Sequence, residues 1–258
     1  MKKVHFKTSD GIRLAGIWHL PSKPTTKAII LAHGLNVDKN EEGIFVDLAK
    51  KLATNGFAVF RFDFRSRGES EGNSIDITLE TEQCDLLAAV AEVRKARFQT
   101  RGLVGASFGG GNTTLFVAQY PESIKALCLW NPILNYDHTL INPTLPWICA
   151  RNEIRKKELQ EQGWTTVGSG NFFMSKKIFD EMSQTFPFEE LKKITIPTLI
   201  LHGTDDTYVP YEDSENYTKN LTHGTFLAIP HGKHGFQYPL EARQHALKET
   251  VAFFQKNL

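Results

Sequence analysis

Cysteine is scarce in this chain. Cys84, Cys128 and Cys149 are odd in number and widely spaced, and no C-x-x-C pair occurs. A disulfide framework and a thiolate zinc site are therefore not expected, and the three read as small buried hydrophobes in a reducing compartment. Net charge is nearly absent too, a formal +1 with no basic run, which speaks against a nucleic-acid partner or an anionic membrane surface. No apolar run approaches the roughly 20 residues of a membrane span. The first residues, Met1-Lys2-Lys3-Val4-His5-Phe6-Lys7, lack the apolar stretch of a signal peptide because Lys7, Ser9, Asp10 and Arg13 interrupt it. The chain reads as cytoplasmic.

What is present is an alternation. The 258 residues, 41% hydrophobic and 23% charged, suit one α/β domain with a sizeable core. Val4 to Thr8 and Ile12 to Leu20 read as strands joined at Ser9-Asp10-Gly11, and they are expected to form an antiparallel edge. Ala28 to Ala32 is a continuous apolar run, as in a strand buried on both faces. Helix periodicity follows over Glu42 to Thr54, ended by Asn55-Gly56. Further strands are expected at Phe57 to Phe64, Leu103 to Ala106, Ile124 to Trp130, Thr198 to His202 and Thr225 to Ile229. Helices are expected at Leu79 to Arg97, Gly109 to Tyr120 and Glu241 to Gln255. The pattern predicts a mostly parallel eight-stranded sheet with helices on both faces. From about Ile133 to Thr185 the alternation breaks, around Pro143, Pro146, Trp147 and Trp164 and a charged helical piece at Glu153 to Gln162. This reads as an insertion, a lid over the carboxyl edge of the sheet, where open α/β sheets bind ligands.

Three segments carry the chemistry. Gly105-Ala106-Ser107-Phe108-Gly109 is G-x-S-x-G between a strand and a helix, the context in which the motif lifts a serine above a sheet; elsewhere it would be an ordinary glycine-rich turn. A serine needs a base. Of nine histidines, His5 and His19 fall on edge strands, His138 and His223 in exposed turns, and His245 in the last helix. That leaves the loop Pro230 to Phe236 with two candidates, of which His234 is preferred and His231 reads as a turn residue. The acid belongs after the strand ending at His202, where Asp206 is preferred over Asp205. Ala32-His33-Gly34-Leu35-Asn36 follows the third strand. The amides of Leu35 and Phe108 are the expected oxyanion donors, and His33 is expected to orient the loop.

With these residues in place the chain resembles the α/β-hydrolase superfamily, and within it the feruloyl/cinnamoyl group of bacterial carboxylesterases. The similarity runs through His33-Gly34, Asn40-Glu41-Glu42-Gly43, Arg61-Phe62-Asp63-Phe64, the Gly105 to Gly109 elbow, Ile196-Pro197-Thr198, the His202 to Pro210 stretch and His234-Gly235-Phe236. It implies an α/β-hydrolase fold with an inserted lid and a cofactor-free, metal-independent esterase acting on small acyl or aryl-acyl esters. Tyr136, Asp137, Trp147 and Trp164 of the lid are then candidates for contact with the acyl group, against the plainer expectation of lid core and turn. The chain departs from the family in one turn: Asp63-Phe64-Arg65-Ser66-Arg67-Gly68 has Ser66 where a glycine is usual, which puts Arg65 or Arg67 near the rim of the site.

A thioester or short acyl-peptide is a further substrate class for the same residues, and a non-catalytic small-ligand binder is the reading of another kind. Ser107 argues against a dehalogenase, which needs aspartate there. The oligomeric state, monomer or homodimer, is left open.

Overall fold

The computed structural model describes residues 1–168 and 172–258, so three residues of the expected insertion lie outside it. In chain order the strands and helices are β1 Lys2–Lys7, β2 Arg13–His19, β3 Lys27–Ala32, α1 Ile44–Thr54, β4 Ala58–Phe62, α2 Leu79–Lys95, β5 Thr100–Ala106, α3 Ser107–Gln119, β6 Ala126–Trp130, α4 Pro146–Glu161, β7 Trp164–Thr166, β8 Phe173–Ser175, α5 Lys176–Met182, α6 Pro187–Glu190, β9 Thr198–Gly203, α7 Tyr211–Tyr217, β10 Gly224–Ile229 and α8 Leu240–Asn257. Eight strands form one sheet in the order β1-β2-β4-β3-β5-β6-β9-β10. This is the α/β-hydrolase fold.

The edge differs from expectation in one respect. β2 pairs antiparallel with both β1 and β4. Two reversals restore direction, so β1 runs with the body of the sheet and β2 alone runs against it.

The apolar strand runs split between two cores, one on each face. In β3, Ala28, Ile30 and Ala32 join a cluster with Leu86 and Val90 of α2 and Phe116 of α3. Ile29 and Leu31 join another with Ile44 and Leu48 of α1 and Ala246 and Val251 of α8. A strand with both faces covered must be apolar at every position, which is why β3 shows no alternation. α1 begins two residues later than its periodicity suggests, because Glu41, Glu42 and Gly43 all adopt positive φ. Of the cysteines only Cys128 is buried; Cys84 is half-buried and Cys149 exposed. The latter two sit on helix faces without full cover, so the expectation of three buried hydrophobes holds for one.

Chain order reverses between β3 and β5, which are parallel neighbours with Ala32 opposite Gly105. The loops leaving their carboxyl ends therefore diverge from adjacent points and open a crevice. β9 and β10 end on the same side, and the stretch between β6 and β9 leans over that edge. Asn36 donates to the Val167 carbonyl at 3.3 Å and Trp147 Nε1 to the Tyr208 carbonyl at 3.1 Å.

The turn after β4 shows what replaces the usual glycine. Ser66 has φ 64° and a buried hydroxyl with no hydrogen-bond partner. Ser66→Gly is expected to stabilise the protein by about 1 kcal/mol: relief of left-handed strain of roughly 1–2 kcal/mol and of an unpaired hydroxyl exceeds the 0.5–1 kcal/mol entropic cost of glycine. Thermal unfolding should read this as a rise of roughly 2–4 °C.

Candidate active site

Ser107 sits at the junction of β5 and α3 with φ 54°. A left-handed residue there turns the chain from strand to helix within one step and leaves the hydroxyl above the sheet. The turn is possible only because its flanks are glycines. A Cβ on Gly105 would overlap the Thr113 hydroxyl, and one on Gly109 would overlap the His33 carbonyl.

His234 follows β10 and is partly buried. Its Nε2 lies 2.9 Å from Ser107 Oγ and its Nδ1 2.8 Å from Asp206 Oδ2. Asp206 follows β9, and its carboxylate is fully buried. Oδ1 accepts the Tyr208 and Val209 amides at 2.7 and 3.0 Å, while Oδ2 also receives His202 Nε2 at 3.2 Å. Burial by itself would raise the Asp206 pKa, but the charge of His234 and hydrogen bonds from His202 and His234 outweigh it and hold the carboxyl ionised far below its usual range. For His234 burial favours the neutral ring, yet the Asp206 charge and hydrogen bond prevail and raise its pKa. The Tyr208 ring stacks on the imidazole at 5.3 Å between centroids.

The rival residues pair with each other instead. Exposed His231 Nδ1 lies 3.4 Å from Asp205 Oδ2, and His231 has φ 55°, as a turn residue does. His138 is not the exposed turn residue expected; it is half-buried, with Nδ1 3.0 Å from Asp213 Oδ1. That pairing spans 75 residues of sequence, so no local pattern announces it.

The loop after β3 is held at three successive peptides. His33 is fully buried; its Nδ1 donates to the Gly34 carbonyl at 2.8 Å and its Nε2 accepts the Phe64 amide at 3.0 Å. Burial pushes the His33 pKa down to about 3, so the ring is a neutral strut. Arg67 Nε donates to the Leu35 carbonyl at 2.9 Å. Among the described residues the Leu35 amide itself donates to no backbone or side-chain acceptor, and the Phe108 amide belongs to the unpaired first turn of α3. A Cβ built on Gly34 would stand 3.3 Å from Ser107 Cβ, which shows how closely this loop approaches the elbow. Arg65, the other expected rim residue, is drawn away by Asp10 and Asp85.

Glu41 was visible in the sequence only as part of a block. In the fold it is buried, and its Oε2 accepts the Gly34 amide at 2.7 Å. Burial raises its pKa to about 7, partly opposed by that hydrogen bond. Its charge helps raise the pKa of His234. Any activity that needs neutral His234 appears as pH rises through the elevated histidine pKa. Glu41→Gln removes the negative charge that Glu41 takes on as pH rises through about 7 and that favours the imidazolium there, but keeps an acceptor for Gly34. The acid limb of the kcat/KM–pH profile is therefore expected to move to lower pH, with the plateau changed by less than about threefold.

A cavity of about 230 Å³ borders the loop after β3 at Leu35 and is lined also by Leu140, Trp147, Arg155, Met174 and Phe179 among others. A larger hollow of about 450 Å³ borders Leu115, Ala118 and Gln119, at the end of α3 remote from Ser107. Of the four expected acyl contacts, only Trp147 lines the smaller cavity. Tyr136 is fully buried, its ring against Phe108 and its hydroxyl 3.4 Å from Asn112 Oδ1. Asp137 is exposed and accepts from Asn142 Nδ2 at 2.8 Å. Trp164 packs edge-on against Phe173 of the β7–β8 hairpin. These three side chains are consumed by packing and turn formation.

Strand order, the β5–α3 elbow and the crevice at the carboxyl edge define an α/β hydrolase. Residues 23–164 match the family model described as serine aminopeptidase, S33, and the chain belongs to that family. It is 29% identical over 238 residues to the bifunctional esterase/perhydrolase DCH of Acinetobacter calcoaceticus, with 78% of this chain and 82% of that one covered. With the acylamino-acid-releasing enzyme of Rattus norvegicus it shares 23% identity over 249 residues, 92% of this chain but 32% of the other. Est1E from Butyrivibrio proteoclasticus, solved with ferulic acid bound, superposes with a TM-score of 0.83 at 23% identity, covering 98% of this chain and 99% of that one. No helix among the described residues is long and apolar enough to cross a membrane.

Proposed function

We propose that this hydrolase is a serine carboxylesterase that cleaves small acyl or aryl-acyl esters, hydroxycinnamoyl esters included, through an acyl-enzyme on Ser107. The observation that carries the reading is the unbroken chain of hydrogen bonds Ser107 Oγ–His234–Asp206, at 2.9 and 2.8 Å. His234 Nε2 accepts the Ser107 proton as Oγ attacks the ester carbonyl, and Asp206 steadies the imidazolium. The amides of Leu35 and Phe108 receive the negative oxygen. His234 returns the proton to the departing alcohol oxygen. It then takes one from water, whose hydroxide attacks the acyl carbon, and passes it to Ser107 Oγ as the acyl–oxygen bond breaks and the acid leaves.

The pinned loop around Leu35 supports this role, since preorganised donors need no rearrangement as charge develops. The small cavity is of a size for a short acyl or single-ring group, and Trp147 offers it an aromatic wall. Likeness to an esterase/perhydrolase and to a ferulic-acid-binding protein fits the same reading. A thioester or acyl-peptide would meet the same machinery. A free amino terminus is less suited, because the cavity lining includes Arg151 and Arg155 and no carboxylate among the described residues.

The test is turnover of p-nitrophenyl esters of rising acyl length, with methyl ferulate included. Burst kinetics on the short esters are expected. Fast short-ester turnover with none of methyl ferulate would remove the hydroxycinnamoyl part and leave the esterase. No ester turnover at all, beside thioester or acyl-peptide cleavage, would remove both.

A further inference from the structure

The cavity bordered by Leu35 has in its lining a charge that no acidic side chain among the described residues balances. Arg155 is 7% exposed, on α4. Its neighbour one turn earlier, Arg151, pairs with Glu158 at 3.1 Å. Arg155 forms no ion pair among the described residues. Its Nη2 donates to the Ile141 carbonyl at 3.1 Å and to Asn152 Oδ1, and its Nε is buried with no partner. The guanidinium lies 5.2 Å from the centre of the Phe179 ring, and both residues line the cavity. A ring face attracts a cation but does not neutralise it.

Burying an arginine is costly unless an anion compensates it. If Arg155 served only to tie α4 to Ile141, one neutral donor would do, and the remaining donors and the charge would be a cost without return. The cavity meanwhile touches the site on two sides. Leu35 is the residue after Gly34, which abuts Ser107. Trp147 is joined to Tyr208 by a hydrogen bond and by ring contact at 4.5 Å, and Tyr208 stacks on His234. A molecule filling the cavity would thus touch Leu35, next in sequence to the glycine that abuts Ser107, as well as the unpaired guanidinium.

We propose that the preferred substrates are esters bearing a second, free carboxylate, which Arg155 binds within the cavity. This rests on the esterase reading and narrows its substrate class. The free carboxylate is a spectator: Arg155 makes charge-assisted hydrogen bonds to it and takes no part in bond breaking. Because those bonds form in the bound ground state as well as in the transition state, the preference should fall mainly on KM.

The test compares ethyl half-esters of four- to eight-carbon dicarboxylic acids with chain-matched ethyl alkanoates. A parallel series, acetyl esters of ω-hydroxy acids, carries the carboxylate on the alcohol side. One of the two charged series is expected to exceed its neutral counterpart about tenfold or more in kcat/KM, and the series that does so identifies the side of the ester that occupies the cavity. Arg155→Met should abolish the preference, bringing each charged ester to within about threefold of its neutral counterpart in kcat/KM. Arg155→Gln, which keeps a donor for Ile141, should do the same and serves if the methionine variant is unstable. Independently of turnover, calorimetry should show a six- to eight-carbon dicarboxylate binding the wild type at least about tenfold more tightly than Arg155→Gln. Equal or better turnover of the neutral esters, or a charged-ester preference that survives both substitutions, would overturn the assignment and leave the esterase intact. If no ester is hydrolysed, the esterase reading fails, and the calorimetric comparison decides the arginine site alone.

Discussion

Ser107→Ala is expected to lower kcat on a good ester about a million-fold, with the fold unchanged. The hydroxyl makes one contact of consequence, the 2.9 Å bond to His234, and alanine accepts the same backbone position as serine. The loss should therefore be chemical. It should also saturate. If serine and histidine act as one device, Ser107→Ala/His234→Ala is no worse than Ser107→Ala alone, because each substitution already disables the device. Steady-state rates on p-nitrophenyl acetate, read beside unfolding curves, check both points. Residual activity within about a hundredfold of wild type would assign the nucleophile elsewhere.

Asp206→Asn is expected to cost about a thousand- to ten-thousandfold in kcat, and Asp205→Asn less than about twofold. The neighbouring substitutions differ because their surroundings differ. An amide at 206 can keep an oxygen on the Tyr208 and Val209 amides, but it then turns its NH2 toward His234 Nδ1. That nitrogen must become an acceptor, so the ring proton moves to Nε2, and Nε2 can no longer take a proton from Ser107. The Asp205 carboxylate is half exposed and, among the described residues, meets the Thr204 hydroxyl and His231. Comparable losses from both variants would mean that the loop as a whole, rather than the Asp206 carboxylate, supports the reaction.

Much of this was legible in the chain because it is local. Strands covered on both faces must be apolar throughout, so β3, β6 and β9 read as unbroken runs. The elbow reads as glycines around a serine because a left-handed turn at close quarters admits nothing larger. His234 and Asp206 were placed by their order after the last strands, and the structure sets them in reach of Ser107. The inserted stretch was less readable. β7 and β8 have three residues each, too few to show a period, and the proline-led start of α4 precedes the charged helical piece that the sequence marked. Residues acting over long sequence distances were hidden as well. Glu41 reaches the Gly34 amide across only seven residues, but through an irregular loop that has no period to show it. Arg65 and Arg67 sit two apart, yet one is spent on Asp10 and Asp85 and the other on the Leu35 carbonyl. Tyr136 and Trp164 looked like acyl contacts because aromatics serve cores and pockets alike; only packing separates the two uses.

Intact and peptide mass spectrometry after treatment with a fluorophosphonate tests the covalent step most directly. Wild-type protein should gain one phosphonyl group, located on the peptide that contains Ser107, and His234→Gln should gain it at least a thousandfold more slowly. A wild type that stays unmodified, or that carries the group on another residue, would contradict a seryl nucleophile at the β5–α3 elbow.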